Sequence, residues 1–286
     1  MVETYSSEQE RFYYVTETVF GVTPTNPSML SVPAENIDPG IDPGNIKLRG
    51  IGNTDLQAIK KGLRQVGCKV NYCLPSSAPI DLLQWAKIDE NKSLSVQVIY
   101  WKGLFASATD IISLLFKGMK INKATIQCEI EDVIRASLEL EGQDVTVGTA
   151  KISGATYTDH TGAVAFNETY VKKGTSTLDR VSAWKFDVEN NLKRVPVIRT
   201  TDGDLPKWLF FRFRNLKGEL TFEFENKEEA DEVLADTEFA LEFGLGDAKK
   251  ATLSACKWDN VTVPSRIEDL IYLKASFTAK GPLTIA

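Results

Sequence analysis

The sequence predicts a mainly β protein: a β-sandwich or barrel fold with short flanking helices, duplicated in tandem. Three observations predict it. Apolar and polar residues alternate with a period of two in segment after segment, the pattern of a strand with one buried face. One such segment, Ala124 to Gly142, is echoed 137 positions later, with Thr125, Ile130, Glu131, Asp132 and Ile134 recurring as Thr262, Ile267, Glu268, Asp269 and Ile271. Both halves also run in one order: strand, short helix, strand, then the echoed segment.

The chain of 286 residues has room for about two domains, and 43% hydrophobic with 25% charged residues is ordinary for a globular protein. A net charge of −6 and a pI near 5.1 argue against a surface built to grip phosphates. No segment reaches the ~20 apolar residues of a membrane helix. The amino end lacks a basic stretch followed by an apolar run, which predicts no signal peptide.

Taken in order, residues 1–45 are expected to be an extended arm, polar and mobile up to about Tyr14. The arm then carries Val15, Val19 and Phe20 among threonines, followed by two prolines. IDPGIDPG, Ile37 to Gly44, reads as the same type II turn twice, with proline second and glycine third. A first domain is placed at 46–155. It holds a short strand Ile46–Ile51, a helical turn Leu56–Gly62, and a strand Leu63–Leu74 with Val66, Cys68, Val70 and Tyr72 on one face. A short helix Asp81–Lys87 capped by Asp81 comes next, and then a strand with Leu94, Val96, Val98 and Tyr100 inward. In the echoed strand Ile130, Asp132, Ile134, Ala136, Leu138 and Leu140 share a face.

Residues 156–180 are expected to be an interdomain loop or hairpin. His160 lies there in TDHTG and, without a nucleophile or acid nearby, reads as a surface turn residue. The second domain is placed at 181–286. Trp184, Phe186 and Val188 alternate with charged residues, Trp208–Phe213 is an apolar strand, and Lys217–Glu225 sets Leu220, Phe222 and Phe224 against Glu219, Thr221, Glu223 and Glu225. Lys227–Ala235 reads as a helix with Ala230, Val233 and Leu234 inward.

The chemistry points away from catalysis. There is no phosphate-binding glycine loop, no nucleophile elbow and no histidine pair for zinc. Cys68, Cys73, Cys128 and Cys256 are not at metal-ligand spacings and read as buried free thiols. Adjacent carboxylates such as Glu131-Asp132 and Glu268-Asp269 face opposite ways on a strand and cannot converge on one bond. No enzyme, no cofactor and no metal are expected.

The arm YVTETVFGVTPTNP, the segments IKLRGIGNTDLQAIKKG and WKFDVENNLKRV, and the long GELTFEFENKEEADEVLADTEFALEFGLGD with WDNVTVPSRIEDLIYLKASFTAKG resemble tail tube proteins of tailed phages and tailed archaeal viruses. That resemblance implies a β-sandwich that joins its neighbours into a ring, with inner strands closing a continuous barrel. Rings stack into a tube through which viral DNA passes without sequence-specific binding. Single-domain members form six-membered rings, so a duplicated chain implies three copies in a pseudo-sixfold ring, with hexamers as the alternative. The implied setting is the virion tail, assembled in the host cytoplasm with tape measure, baseplate and tail terminator proteins and without membrane insertion. Alternatives are the inner tube of a contractile tail or injection system, and a β-sandwich baseplate or receptor-binding module.

On this reading Glu219, Glu223 and Glu225 face either the lumen, where they would repel DNA, or a solvated outer surface. Tyr14, Val15, Val19 and Phe20 are expected in an arm that orders on a neighbouring subunit. Deleting the residues before Asn45 is then expected to leave a folded chain that fails to form long tubes.

Overall fold

Twenty-one strands form among the described residues, and they fall into two sets of ten with one strand between them. The computed structural model describes residues 4–76, 82–87, 92–247, 249–264 and 271–285. The first set is β1 (Glu10–Glu17), β2 (Ser28–Ser31), β3 (Ala34–Asp42), β4 (Ile46–Leu48), β5 (Ala58–Lys60), β6 (Gln65–Cys73), β7 (Ser93–Trp101), β8 (Ile111–Glu129), β9 (Arg135–Gly142) and β10 (Asp144–Gly148). After β11 (Thr156–Thr158) come β12 (Val171–Lys173), β13 (Ser176–Thr177), β14 (Val181–Glu189), β15 (Lys193–Val195), β16 (Trp208–Phe210) and β17 (Asn215–Glu223). The single α-helix among the described residues, α1 (Glu228–Leu234), precedes β18 (Phe239–Gly244), β19 (Lys250–Thr262), β20 (Tyr272–Ala279) and β21 (Leu283–Ile285).

Each pairing inside the first set recurs in the second. β1 pairs β2 and β7 as β12 pairs β13 and β18. β3 pairs β6, and β6 pairs β9, as β14 pairs β17 and β17 pairs β20. β8 takes β7, β9 and β10 as β19 takes β18, β20 and β21. Hairpin β4–β5 matches hairpin β15–β16. The 3-10 turn Leu82–Ala86 occupies the slot of α1.

Registers agree as well. β9 and β20 stand 137 positions apart at both ends, the offset of the sequence echo. Three β-bulges repeat: between Ala34 and Asn36 as between Val181 and Ala183, between Leu94 and Val96 as between Phe239 and Leu241, and between Ile121 and Lys123 as between Trp258 and Asn260. A bulge is an inserted residue that bends its strand, kept as a feature within families. Three at matching places mark one fold written twice.

The strands build layers. An inner sheet of eight runs β3, β6, β9, β8, β14, β17, β20, β19, each antiparallel to the next. The long strands β8 and β19 leave it at their amino-terminal halves to join an outer layer, β7 with β1 in one repeat and β18 with β12 in the other. In β8 the bend falls at Gly118, whose φ of +65° no side chain tolerates cheaply. Between the layers lies a continuous apolar core holding Tyr72, Phe116, Phe186, Phe222, Phe243 and Phe277. A smaller core of Tyr13, Met29, Ile99, Trp101 and Ile111 lies on the far side of β7, so this strand is buried on both faces.

Several elements differ from the sequence reading. The first of the two echoed segments is not one strand: β8 ends at Glu129, a turn with Glu131 at φ 63° follows, and β9 starts at Arg135, which leaves Ile130 53% exposed. Asp132 makes that turn by accepting the Val133 N–H at 2.8 Å. Its partner carboxylates Glu268 and Asp269, like Asp81, lie outside the described residues. Leu56–Gly62 is no helix but contains β5, because so short a stretch cannot nucleate a helix against hairpin pairing. Only the second DPG turns, with Gly44 at φ 61°; the first lies inside β3, where Pro39 sits on a strand edge.

Residues 10–14 are also no mobile tail. β1 pairs with β7 from Glu10 to Glu17, and Phe12, Tyr13 and Tyr14 are at most 3% exposed. Removing the residues before Asn45 would strip three strands from the first repeat, so the folded truncation expected from the sequence does not follow. Residues 156–180 do contain a hairpin, β12–β13, but they also hold β11, and Val164 and Val171 are buried rather than exposed. On α1 the buried side chain is Glu229, while Leu234 is 87% exposed.

Candidate assembly edges and polar sheet face

The two repeats meet at a strand junction, and its partners on the outside of the chain are open. β14 pairs with the carboxyl-terminal half of β8, placing Val188 opposite Ala124, Phe186 opposite Ile126 and Trp184 opposite Cys128. The ladder continues past both strand ends, with Ile130 N donating to Ser182 O at 3.1 Å and Asn190 N to Asn122 O at 2.8 Å. Asn190, fully buried, also ties the junction to Ala86 O at 3.1 Å and Ile121 O at 2.9 Å through its side-chain amide. Sheet extension of this kind satisfies every edge group it covers.

By the repeat, β3 stands where β14 does, and β19 where β8 does. Neither has a second neighbour in the inner sheet among the described residues. The burial contrast is sharp: Val188 is 0% exposed and its counterpart Ile41 48%, Ile126 is 0% and its counterpart Val263 44%. The groove beside β3, about 550 Å³, is walled by Phe12, Ala34, Asn36 and His160. His160 is therefore no surface turn residue. Its backbone N–H reaches Ser31 Oγ at 3.1 Å, and its Nε2 is buried without a partner among the described residues.

The face of the inner sheet turned away from the core carries lysines and carboxylates in alternation. Lys69–Glu139 close to 3.1 Å, Lys217–Glu189 to 3.0 Å and Lys274–Glu219 to 3.8 Å. Glu219 and Glu223 lie on this face of β17, while Glu225 falls beyond the strand's end. Glu219 sits among paired lysines on the neighbouring strands rather than in a bare acidic strip. The Lys217 ammonium, followed by Asn215, holds the Glu189 carboxyl below its ordinary value against some desolvation.

The expected arm residues separate. Tyr14 is in the main core and Val15 packs on the small one, so both are held by their own subunit. Val19 is 59% exposed in a turn closed by Val22 N donating to Val19 O at 3.0 Å. Phe20 packs 5.2 Å from Trp208 and so links the repeats.

Among the described residues no group of three His, Cys, Asp or Glu side chains could hold a metal. No helix among them is long and apolar enough to cross a membrane. The cysteines are free, three buried and Cys73 half-buried. Burial pushes the Cys68 and Cys256 thiols up to about 12 and the Cys128 and Cys73 thiols up to about 11, with Glu35 adding to the effect at Cys73. Thiols so placed are inert at neutral pH.

None of the curated proteins compared with the chain matches it. The family model described as phage tail tube protein does match, over residues 88–281, which is more than half of the chain and takes in the inner-sheet junction. With a mainly β fold, the chain belongs to the phage tail tube protein family, as a structural component of the virion tail.

Proposed function

We propose that three copies of the chain close into a pseudo-sixfold ring, β3 of each pairing with β19 of the next, and that rings stack into the conduit for genome ejection. The observation that carries this reading is the β8–β14 junction, an internal example of the contact that the open edges would make. Transferred by the repeat, that register sets Ile41 opposite Val261 and Asp42 opposite Asn260. The repeating units are then residues 10–148 and 171–285.

Size supports the copy number. With eight inner strands per chain about 4.8 Å apart, three copies give a circle about 37 Å across before tilt widens it. That leaves a bore for a duplex about 20 Å wide once side chains line the wall. Two copies would give about 24 Å, which is too narrow. The polar face carrying Glu219 and Glu223 would line the bore, its lysines already neutralised by carboxylates and so unable to hold phosphates. Tape measure, baseplate and tail terminator proteins would bound the tube, and assembly would take place in the host cytoplasm.

The test is to charge the edges. Replacing Ile41→Lys together with Val263→Lys should leave the far-UV circular dichroism unchanged, because both side chains are exposed, while abolishing rings and tubes in electron micrographs. Tubes as abundant as those of the unmodified chain would overturn the reading.

A further inference from the structure

Hairpins β4–β5 and β15–β16 are alike in register but unlike in surroundings. β15–β16 is clamped onto the first repeat. Arg194 donates to Gln65 Oε1 at 2.7 Å and pairs with Glu141 at 3.0 Å. Gln143 Nε2 reaches Pro206 O at 3.0 Å. Arg64 takes Asp204 on its side chain at 2.8 Å and, through its backbone N–H, on Asp204 O at 2.7 Å. Under these contacts Leu209 is 1% exposed. β4–β5 has no such seat: Ile59, the counterpart of Leu209, is 58% exposed, Ile46 61% and Leu48 55%.

The surface that would receive β4–β5 exists on the second repeat. Arg64 lies just before β6, and Arg214 occupies the same place before β17. Arg64 has two carboxylates, Asp144 of its own repeat and Asp204 of the following hairpin. Arg214 has neither among the described residues, and Pro282 stands where Asp144 does. Burial lowers the Arg214 guanidinium from its ordinary value, a cost that nothing described in the chain repays. In the β4–β5 loop Asp55-Leu56 echoes Asp204-Leu205 ahead of the returning strand, and Asp55 likewise has no described partner.

We propose that β4–β5 of one copy clasps the second repeat of its ring neighbour, Asp55 pairing with that neighbour's Arg214 and Ile59 covered in the contact. The occupant is a second copy of this chain, because the chain already seats the equivalent hairpin on the equivalent surface within itself. Lys47, in the place of Arg194, would then face Asn215 and the Thr278–Asp259 pair, a hydroxyl-to-carboxylate bond of 2.6 Å. The inference rests on the ring reading and adds to it a trans ion pair that strand extension alone does not require.

Charge exchange on the full chain tests it. Ring dissociation constants would be compared by analytical ultracentrifugation for the unmodified chain, Arg214→Glu, Asp55→Arg and the double variant, with thermal unfolding of each as the check on folding. Each single variant should weaken the ring about tenfold or more, and the double should recover to within about threefold. A double variant no tighter than the singles, or an Arg214→Glu ring as tight as the unmodified one, overturns the clasp and leaves the ring standing. An unmodified chain that forms no rings overturns the ring reading itself.

Discussion

Glu17→Ala is expected to destabilise the folded chain by at least about 3 kcal/mol. Glu17 closes β1 with a carboxylate 2% exposed that accepts four donors: Gly21 N at 2.8 Å, Gly118 N at 2.9 Å, Ser95 Oγ at 2.7 Å and Ser93 Oγ. A charge buried this deeply is tolerated only because every lone pair it offers is used. Alanine removes the acceptor and strands Gly21 N, Gly118 N and Ser93 Oγ, each costing about 1–3 kcal/mol unless water enters, while Ser95 Oγ keeps Thr23 Oγ1 at 2.8 Å. One of them, Gly118, lies at the bend where β8 changes layers, so local relief would disturb the core. Thermal unfolding should begin about 6–12 °C lower, on the scaling for chains of this size. A shift under about 2 °C would show that the knot adds little.

The second large effect is expected at α1. Glu229 is fully buried and paired with Arg180, whose guanidinium also lies 4.9 Å over the Phe222 ring. Lys173 holds Glu232 at 2.9 Å and also pairs with Glu228, and Trp258 Nε1 donates to Glu232 at 2.8 Å, so the helix is moored by charge where its apolar stripe is weak. Glu229→Ala leaves the buried Arg180 cation with only the half-exposed Glu228 carboxylate, at 3.8 Å, and should cost about 3 kcal/mol. Replacing both partners, Glu229→Met with Arg180→Met, should recover most of that loss, since an apolar pair carries no desolvation penalty. Urea unfolding of the unmodified chain, Glu229→Ala and the double variant decides it. A double variant no more stable than Glu229→Ala would mean that the cost lies in packing rather than in the orphaned charge.

The parts of this fold that were legible in the sequence are those with one wet face. β6, β9, β17 and β20 alternate cleanly, and the echo of Thr125 to Ile134 marked the offset that β9 and β20 obey. β1 was not legible because it lies between the main and the small core, so ERFYYVTE shows no polar face to alternate against. β3 hid behind two Asp-Pro-Gly motifs that usually turn, one of which is accommodated on a strand edge. Glu229 could not have been picked out from the charged run KEEADEVLA, since its partner Arg180 is 49 residues away. The open edges were invisible for another reason. Ile41 and Val263 look like ordinary strand residues, and only their buried counterparts Val188 and Ile126 show what they lack.

The ring claim has a direct covalent test. Transferred from the internal junction, Asp42 and Asn260 of neighbouring copies face each other as a pair that exchanges no backbone hydrogen bonds, where Cα atoms come within about 4.5 Å and a disulfide fits. Three native thiols are buried, and the half-buried Cys73, pushed up to about 11, is too weakly acidic to compete. Oxidising an Asp42→Cys/Asn260→Cys chain should yield a non-reducing ladder that ends at three chains, reversed by reductant and absent from either single variant. A chain that stays monomeric under oxidation, or a ladder that runs on past three, would contradict closure of a three-copy ring through these edges.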